Sequence, residues 1–172
     1  EQLPQYYEML PPICDKLGIE VPDLFLKLDV VPNAYTYGDT KPFIVLTSGL
    51  VETLPDELIP TVLAHECGHI ACRHVLYRTM GNMILNGTFN FIPITNIAIT
   101  PISAAFSYWM RCSELSADRA AVLCDGTTDK VVEMCMRFAG FDKDMPHDMN
   151  LEAFMNQAIQ YEELVKENIW TT

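Results

Sequence analysis

Apolar and aromatic residues in the first third of the chain form short runs separated by turn residues. The runs cover 24–28, Ala34–Tyr37 and Phe43–Thr47, and the segments Val31-Pro32-Asn33 and Gly38-Asp39 between them favour turns. Runs of this length that are rich in branched and aromatic side chains are typical of β-strands. This part of the chain predicts a small sheet of three or four strands, mostly antiparallel.

Most of the remaining chain has apolar positions three and four residues apart, the spacing of amphipathic helices. Helices are predicted over 4–17 with a break at Pro11-Pro12 and an end at Gly18, then up to about Arg78, and over 104–124, 128–139 and 151–168. The spacing of Thr53 and Asp56 predicts a cap for the helix that reaches Arg78. Pro60 in that helix must lie in the first turn or mark a kink. The last helix has an apolar stripe that predicts core packing, formed by Leu151, Phe154, Ala158, Tyr161 and Val165.

Length and charge narrow the class of protein. The 172 residues, of which 49% are hydrophobic, are enough for one domain with a single core, so we expect residues 1–172 to form one domain. The net charge of −12 would repel a phosphate backbone, which excludes a nucleic-acid partner. The chain begins with Glu1 and has no apolar leader, which is typical of a processed protein or of a domain excised from a longer, membrane-anchored parent.

A long uncharged segment separates the two halves of the chain. All 32 residues between Arg78 and Arg111 are uncharged, but asparagine, glycine and proline interrupt the segment repeatedly. A simple membrane span requires about 20 mostly apolar residues in succession. We therefore expect segment 80–110 to form a buried or membrane-grazing helical hairpin rather than a true span. Membrane association is expected through this segment or through flanking segments of a longer parent.

The six cysteines are predicted to be reduced thiols in the core. No CxxC pair is present, and several of the cysteines lie among apolar residues in helical segments. Cys67, directly after Glu66, is interpreted as a small packing residue rather than a metal ligand or a redox switch.

The segment His65-Glu66-Cys67-Gly68-His69 contains an HExxH motif in an amphipathic helix that follows a strand. Residues four apart lie on one helix face, so both imidazoles can bind one ion with Glu66 beside its open position. His74 lies about 140° around a continuous helix from that face. We therefore expect His74 to lie on the surface or behind the ligands rather than to bind the metal.

Glu114 and Asp118 are the acidic candidates for completing the site. They lie four residues apart on the next long helix, so one carboxylate can bind the metal while the other accepts the spare N–H of a ligating histidine. The alternative is an ordinary helix with two exposed acids. Small residues at Ala117, Ala120 and Ala121 favour the close helix packing that the metal site would require.

These segments resemble the gluzincin metallopeptidases of the HtpX and CAAX-prenyl endopeptidase family, in particular their soluble single-domain forms, the minigluzincins. The resemblance rests on TVLAHECGHIACRH, RCSELSADRAA, PNAYTYG and VLTSGLVETL, which follow one another in the expected order. It implies an α+β, zincin-like fold with a small sheet on the HExxH helix and one Zn²⁺ per chain. The implied zinc ligands are His65, His69 and Glu114. The resemblance also implies Glu66 as catalytic base, Asp118 as the partner of a ligating histidine, and the strand Phe43–Thr47 as a wall of the substrate groove.

One expected element of the family does not match. A late His-Pro or Arg element often stabilises the tetrahedral intermediate, whereas this chain has Pro146-His147 in the reverse order. His147, Tyr108 and Arg111 remain as candidates for that role. Asn33 and Ala34 are candidates for substrate contact.

The function expected from the resemblance is a zinc-dependent endopeptidase that cleaves unfolded or membrane-associated proteins. The enzyme would be cytoplasmic, or membrane-associated and facing the cytoplasm. Two alternatives remain: a catalytically silent, zinc-stabilised domain that binds clients or partners, and a latent enzyme whose groove is plugged by 80–110 or by a flanking segment.

Overall fold

The computed structural model describes residues 4–85, 96–139 and 151–169. Helices dominate the described part, and the strands lie near its beginning. The helices are α1 (Pro4–Tyr7), α2 (Leu10–Leu17), α3 (Ser48–Thr53), α4 (Ile59–Ala71), α5 (His74–Leu85), α6 (Asn96–Asp125), α7 (Asp129–Phe138) and α8 (Leu151–Ile169). The strands are β1 (Asp23–Lys27), β2 (Ala34–Tyr37) and β3 (Phe43–Thr47). The α+β class predicted from the sequence is confirmed.

The three strands form a mixed sheet in the order β1-β3-β2. β3 pairs in parallel with β1, with Phe43 opposite Asp23, and antiparallel with β2, with Phe43 opposite Tyr37. One of the two strand pairs is thus parallel, whereas the sequence predicted a mostly antiparallel sheet. The connection 28–33 is long enough to cross the ~10 Å occupied by an intervening strand, so β3 inserts between β1 and β2. As a result, β2 is an edge strand.

The core lies between one face of this sheet and the helices. Ile44 and Leu46 of β3 are fully buried and join a cluster with Leu10 of α2 and with Val62 and Leu63 of α4. Because α4 is buried along most of its length, the HExxH motif is held on a helix at the centre of the fold.

The start of α4 differs in part from the prediction. Pro60 lies in the first turn, as one of the two predicted alternatives required. The predicted cap by Thr53 does not form, because Thr53 is the last residue of α3 and its hydroxyl donates to the Gly49 carbonyl at 2.7 Å. A single 3₁₀ turn, Asp56–Leu58, leads into α4 instead.

The helix predicted to reach Arg78 is divided in two. α4 ends at Ala71, Arg73 has a positive φ of 54°, and α5 begins at His74. A residue with positive φ cannot continue a right-handed helix, so the chain changes direction and α5 lies against α6. Gly81 allows this contact, because the Phe106 ring occupies the space where a Cβ at position 81 would be.

α6 begins at Asn96, eight residues before the predicted start, and contains Pro101. In α8, Tyr161 is exposed, so the predicted core packing is wrong at this position. Among the helices that the structure describes, none is both long and apolar enough to cross a membrane.

All six cysteines belong to the described part of the chain, and all are free thiols. Cys14 and Cys67 are buried, with their Sγ atoms 4.0 Å apart. Cys72 and Cys135 are exposed, so the predicted core location is wrong for these two.

Candidate metal centre

Three side chains from two helices bring potential metal-binding atoms together. The Nε2 atoms of His65 and His69 lie 3.2 Å apart, and Glu114 Oε2 lies 3.4 Å from the first and 3.5 Å from the second. Ligands about 2.0–2.1 Å from a tetrahedral zinc ion lie about 3.3 Å from one another. The three donor atoms therefore have the spacing of one face of such a site. Within the described residues, no other group of three His, Cys, Asp or Glu side chains has a comparable arrangement.

A close contact between α4 and α6 places Glu114 opposite the histidines. A Cβ built on Gly68 would lie 2.8 Å from Ala120 Cβ and 3.0 Å from Ala117 Cα, so the helices touch backbone to backbone at this point. Ala117 and Ala121 are fully buried. The prediction that small residues on the second helix permit close packing against the first is confirmed.

The partner of His65 is Asp118. His65 Nδ1 lies 2.9 Å from Asp118 Oδ1, and the nitrogen donates because an ionised carboxylate only accepts. Burial lowers the pKa of His65, but the bonds to Asp118 and Glu114 and the charge of Glu66 outweigh it and raise the pKa to about 9. This arrangement leaves Nε2 on the side of Glu114, where a metal would bind.

The partner of His69 is His74, whose Nδ1 lies 2.9 Å from His69 Nδ1. Burial, followed by the electrostatic effect of the neighbouring His69, lowers the pKa of His74 to about 4. His74 is buried rather than on the surface, so of the two predicted locations the one behind the candidate ligands is found. The 140° separation assumed a continuous helix, and the break at Arg73 brings His74 back towards His69.

The partner of Glu114 is Arg78, whose Nη2 donates to Glu114 Oε1 at 3.0 Å. Hydrogen bonds with His65 and His69 hold the pKa of Glu114 well below its ordinary value. Arg78 is not among the site residues predicted from the sequence. The available signal was its spacing, since Arg78 lies one helical turn after His74 at the start of the uncharged segment.

Glu66 is buried, with 6% of its surface exposed, and lies beside the donor atoms in the same cavity. The Thr36 hydroxyl lies 2.8 Å from Glu66 Oε2 and 3.1 Å from the Glu66 carbonyl oxygen, and it donates to one of them at a time. Thr36 belongs to β2, so the edge strand contacts the motif directly. Thr36 is not among the site residues predicted from the sequence, because the local sequence pattern does not give its position in the sheet.

An open cavity of about 560 Å³ contains these groups. Asn33 and Ala34, the candidate substrate contacts, line this cavity together with Tyr35 and Thr36. Apolar lining comes mainly from α4 and α7, through Val62, Met134 and Phe138. The prediction that Phe43–Thr47 forms a wall is wrong, because β3 lies at the centre of the sheet and β2 separates it from the cavity.

Two of the three candidates for stabilising the intermediate lie away from the cavity. Tyr108 is 65% exposed, and the Arg111 guanidinium lies over the Tyr108 ring, 5.8 Å from its centroid. Neither is among the described residues that line the cavity, whereas Arg78 is. His147 lies outside the described residues.

Comparisons with known proteins give a family and several relatives. A model of peptidase family M48 matches residues 8–165. The plastoglobule-localized metallopeptidase 48 of Arabidopsis thaliana is 34% identical over 163 residues, which are 94% of this chain and 47% of that protein. An HtpX protease homologue from Sulfurihydrogenibium is 31% identical over 86 residues, which are 49% of this chain and 29% of that protein. Another, from Ralstonia nicotianae, is 23% identical over 167 residues, covering 83% and 58% of the two chains.

The chain thus spans less than two thirds of the length of each of these relatives. No solved structure matches it significantly. The family match covers most of the chain, and both kinds of relative are named as proteases, so the predicted class of enzyme, a metallopeptidase, is supported. The chain belongs to peptidase family M48.

Proposed function

We propose that this protein is a zinc-dependent endopeptidase whose residues 1–172 act as one catalytic domain. His65, His69 and Glu114 bind one zinc ion, and Glu66 is the general base. The observation that carries the proposal is the spacing of the three donor atoms, 3.2–3.5 Å, with a buried carboxylate beside them.

The donor set suits zinc. Two imidazole nitrogens and one carboxylate oxygen are the protein ligands of many catalytic zinc sites, which keep a further position open for water or substrate. When bound, zinc supplies a Lewis acid that polarises the scissile carbonyl and lowers the pKa of the attacking water towards about 7. Asp118 supports this assignment, because a carboxylate that accepts from Nδ1–H leaves Nε2 of His65 free to bind.

Glu66 moves the proton. When the Thr36 hydroxyl donates to its Oε2, the shorter of the two contacts, the bond limits rotation of the carboxylate. The carboxylate then takes the proton of the attacking water and passes it to the leaving amine nitrogen. A carboxylate held in one orientation beside the reacting groups avoids part of the entropic cost of this transfer.

The substrate is an extended polypeptide, consistent with unfolded or membrane-associated proteins. β2 pairs with β3 along one edge only, and residues 33–36 line the cavity. An edge strand offers main-chain hydrogen bonds to an added strand of any sequence. The side chains of Val62, Met134 and Phe138 favour apolar residues near the scissile bond.

A lipid surface is the proposed site of action, on the cytoplasmic side. The arms of the predicted hairpin, α5 and the first part of α6, expose the side chains of Tyr77, Met80, Met83, Ile102 and Tyr108. No charged residue occurs between Arg78 and Arg111, and an exposed apolar surface without charge is typical of a region that contacts lipid. The Arabidopsis relative is named for its localisation to plastoglobules.

Flotation with phosphatidylcholine vesicles, with and without an anionic lipid, tests this location. Met80→Glu with Met83→Glu should release the protein from the vesicles. Leu123→Glu, which adds one charge at an exposed apolar position of α6 outside the uncharged segment, should not. Equal flotation of both variants would contradict the proposed lipid contact.

The central experiment compares wild type with Glu66→Gln for metal content and for cleavage of casein. Wild type should contain about one zinc per chain and lose activity when a chelator removes it. Glu66→Gln should keep the zinc but lose activity by about 10²–10⁴-fold, because the proton acceptor is gone. Glu57→Gln, at an exposed acid outside the cavity, is the matched control and should behave as wild type.

Two outcomes would overturn the proposal. Wild-type activity in Glu66→Gln would exclude Glu66 as the base. If the wild type binds zinc but cleaves nothing, the remaining explanations are a silent binding domain and a latent enzyme. Activation by limited proteolysis would then identify the latent form.

A further inference from the structure

Helix α5 contacts two of the three proposed zinc ligands through side chains one turn apart. His74 and Arg78 are four residues apart and therefore lie on one face of the helix. His74 contacts His69, and Arg78 contacts Glu114. His65 in turn contacts Asp118. Each of the three proposed ligands therefore has a hydrogen-bonding partner that is not itself a proposed ligand.

The contact between Arg78 and Glu114 assigns different tasks to the two carboxylate oxygens. Oε1 lies 3.0 Å from Arg78 Nη2, whereas Oε2 lies 3.4 Å and 3.5 Å from the histidine nitrogens. The Glu114 side chain is 47% exposed, so packing alone does not hold it in place. The guanidinium therefore orients the carboxylate, so that the oxygen not bound to Arg78 faces His65 and His69.

The contact between His74 and His69 orients the second imidazole. A metal bound at Nε2 of His69 requires the hydrogen on Nδ1, and this N–H then donates to Nδ1 of His74 across 2.9 Å. The ring of His74 is itself held edge-on against Trp109 of α6, with the centroids 5.8 Å apart. The acceptor is thus fixed between His69 and a second helix.

From these contacts we infer that His74 and Arg78 are positioning residues, which hold His69 and Glu114 in the geometry for zinc before the metal binds. The inference rests on the proposed zinc centre. Helix α5 would thus orient His69 and Glu114, a role that neither the HExxH motif nor α6 performs. Partners of this kind are worth about 10–100-fold in metal affinity.

Zinc affinity, measured by competition with a chromophoric chelator, is the first readout. Arg78→Met should bind zinc about 10–100-fold more weakly than wild type. Arg78→Lys should recover part of this loss, because lysine keeps the charge but not the planar fork of donors. Arg111→Met is the matched control: it removes the same charge at a residue that stacks on Tyr108 outside the cavity, and it should bind as wild type.

The visible spectrum of the Co²⁺-substituted protein is the second readout, since it reports coordination geometry. His74→Phe keeps the ring against Trp109 and removes the acceptor, so it should weaken zinc binding and change the spectrum. His74→Asn restores an acceptor and should recover part of the affinity. A merely structural role for these residues would change thermal stability without changing the spectrum of the folded protein.

The outcomes separate this inference from the proposed function. A wild type that binds no zinc would overturn both. A wild type that binds zinc, with folded Arg78→Met and His74→Phe variants that bind within twofold of it, would overturn the inference alone. If Arg78→Met does not fold, Arg78→Lys is the variant to test. Unchanged zinc affinity and an unchanged Co²⁺ spectrum in that variant would count against positioning by the guanidinium.

Discussion

Replacing Gly68 by alanine would insert one methyl group between the two helices that carry the proposed zinc ligands. The new Cβ would lie 2.8 Å from Ala120 Cβ and 3.0 Å from Ala117 Cα. Non-bonded carbon atoms normally approach to about 3.5–4.0 Å, so the contacts are too short by about 0.5–1 Å. Because one of them involves backbone, a side-chain rotation cannot relieve it, and α6 must move.

The expected cost is larger for metal binding than for folding. Overpacking of this kind costs about 1–3 kcal/mol, and alanine recovers about 1 kcal/mol of helix propensity over glycine. The net loss of stability without zinc is therefore about 0–2 kcal/mol. A shift of α6 by about 0.5 Å or more exceeds the ±0.2 Å that a metal site tolerates, so zinc affinity should fall at least tenfold.

The assay combines urea unfolding of the metal-free protein with zinc competition. The double variant Gly68→Ala with Ala120→Gly removes the 2.8 Å contact and leaves the 3.0 Å contact to Ala117. It should recover part of the zinc affinity. Wild-type zinc affinity in folded Gly68→Ala would refute the reasoning. It would mean that the spacing of α4 and α6 does not control the distances among the three donor atoms.

Three further predictions concern the ligands and the support of the cavity wall. Glu114→Ala should leave the purified protein without bound zinc, as measured by plasma mass spectrometry, because two histidines alone bind weakly. Asp118→Asn should reduce zinc affinity about 10–100-fold in the chelator competition, because the partner of His65 loses its charge; unchanged affinity would count against that role. Thr47→Val should lower the free energy of unfolding by about 1–3 kcal/mol in urea, because the Thr47 hydroxyl accepts from Asn33 N at 2.8 Å and caps Leu50 N at 3.2 Å. Thr47→Ser, which keeps the hydroxyl, should lose less.

Much of the site could be predicted because its parts are encoded within single helices. The four-residue spacings of His65 with His69 and of Glu114 with Asp118 place each pair on one helix face, whatever surrounds the helix. The small residues around Ala117 similarly indicate a close contact, because only short side chains allow two backbones to touch. These are local properties, and the amino-acid sequence by itself determined them.

Other features depend on which elements become neighbours, and only the tertiary structure decided them. β3 inserts between β1 and β2, which makes β2 rather than β3 the wall of the cavity and brings Thr36 to Glu66. The break at Arg73 turns α5 back, so that His74 and Arg78 contact His69 and Glu114, which a continuous helix would have kept from them. Sheet order and helix direction follow from how the whole core packs, and the periodicity of one segment carries no information about its neighbours.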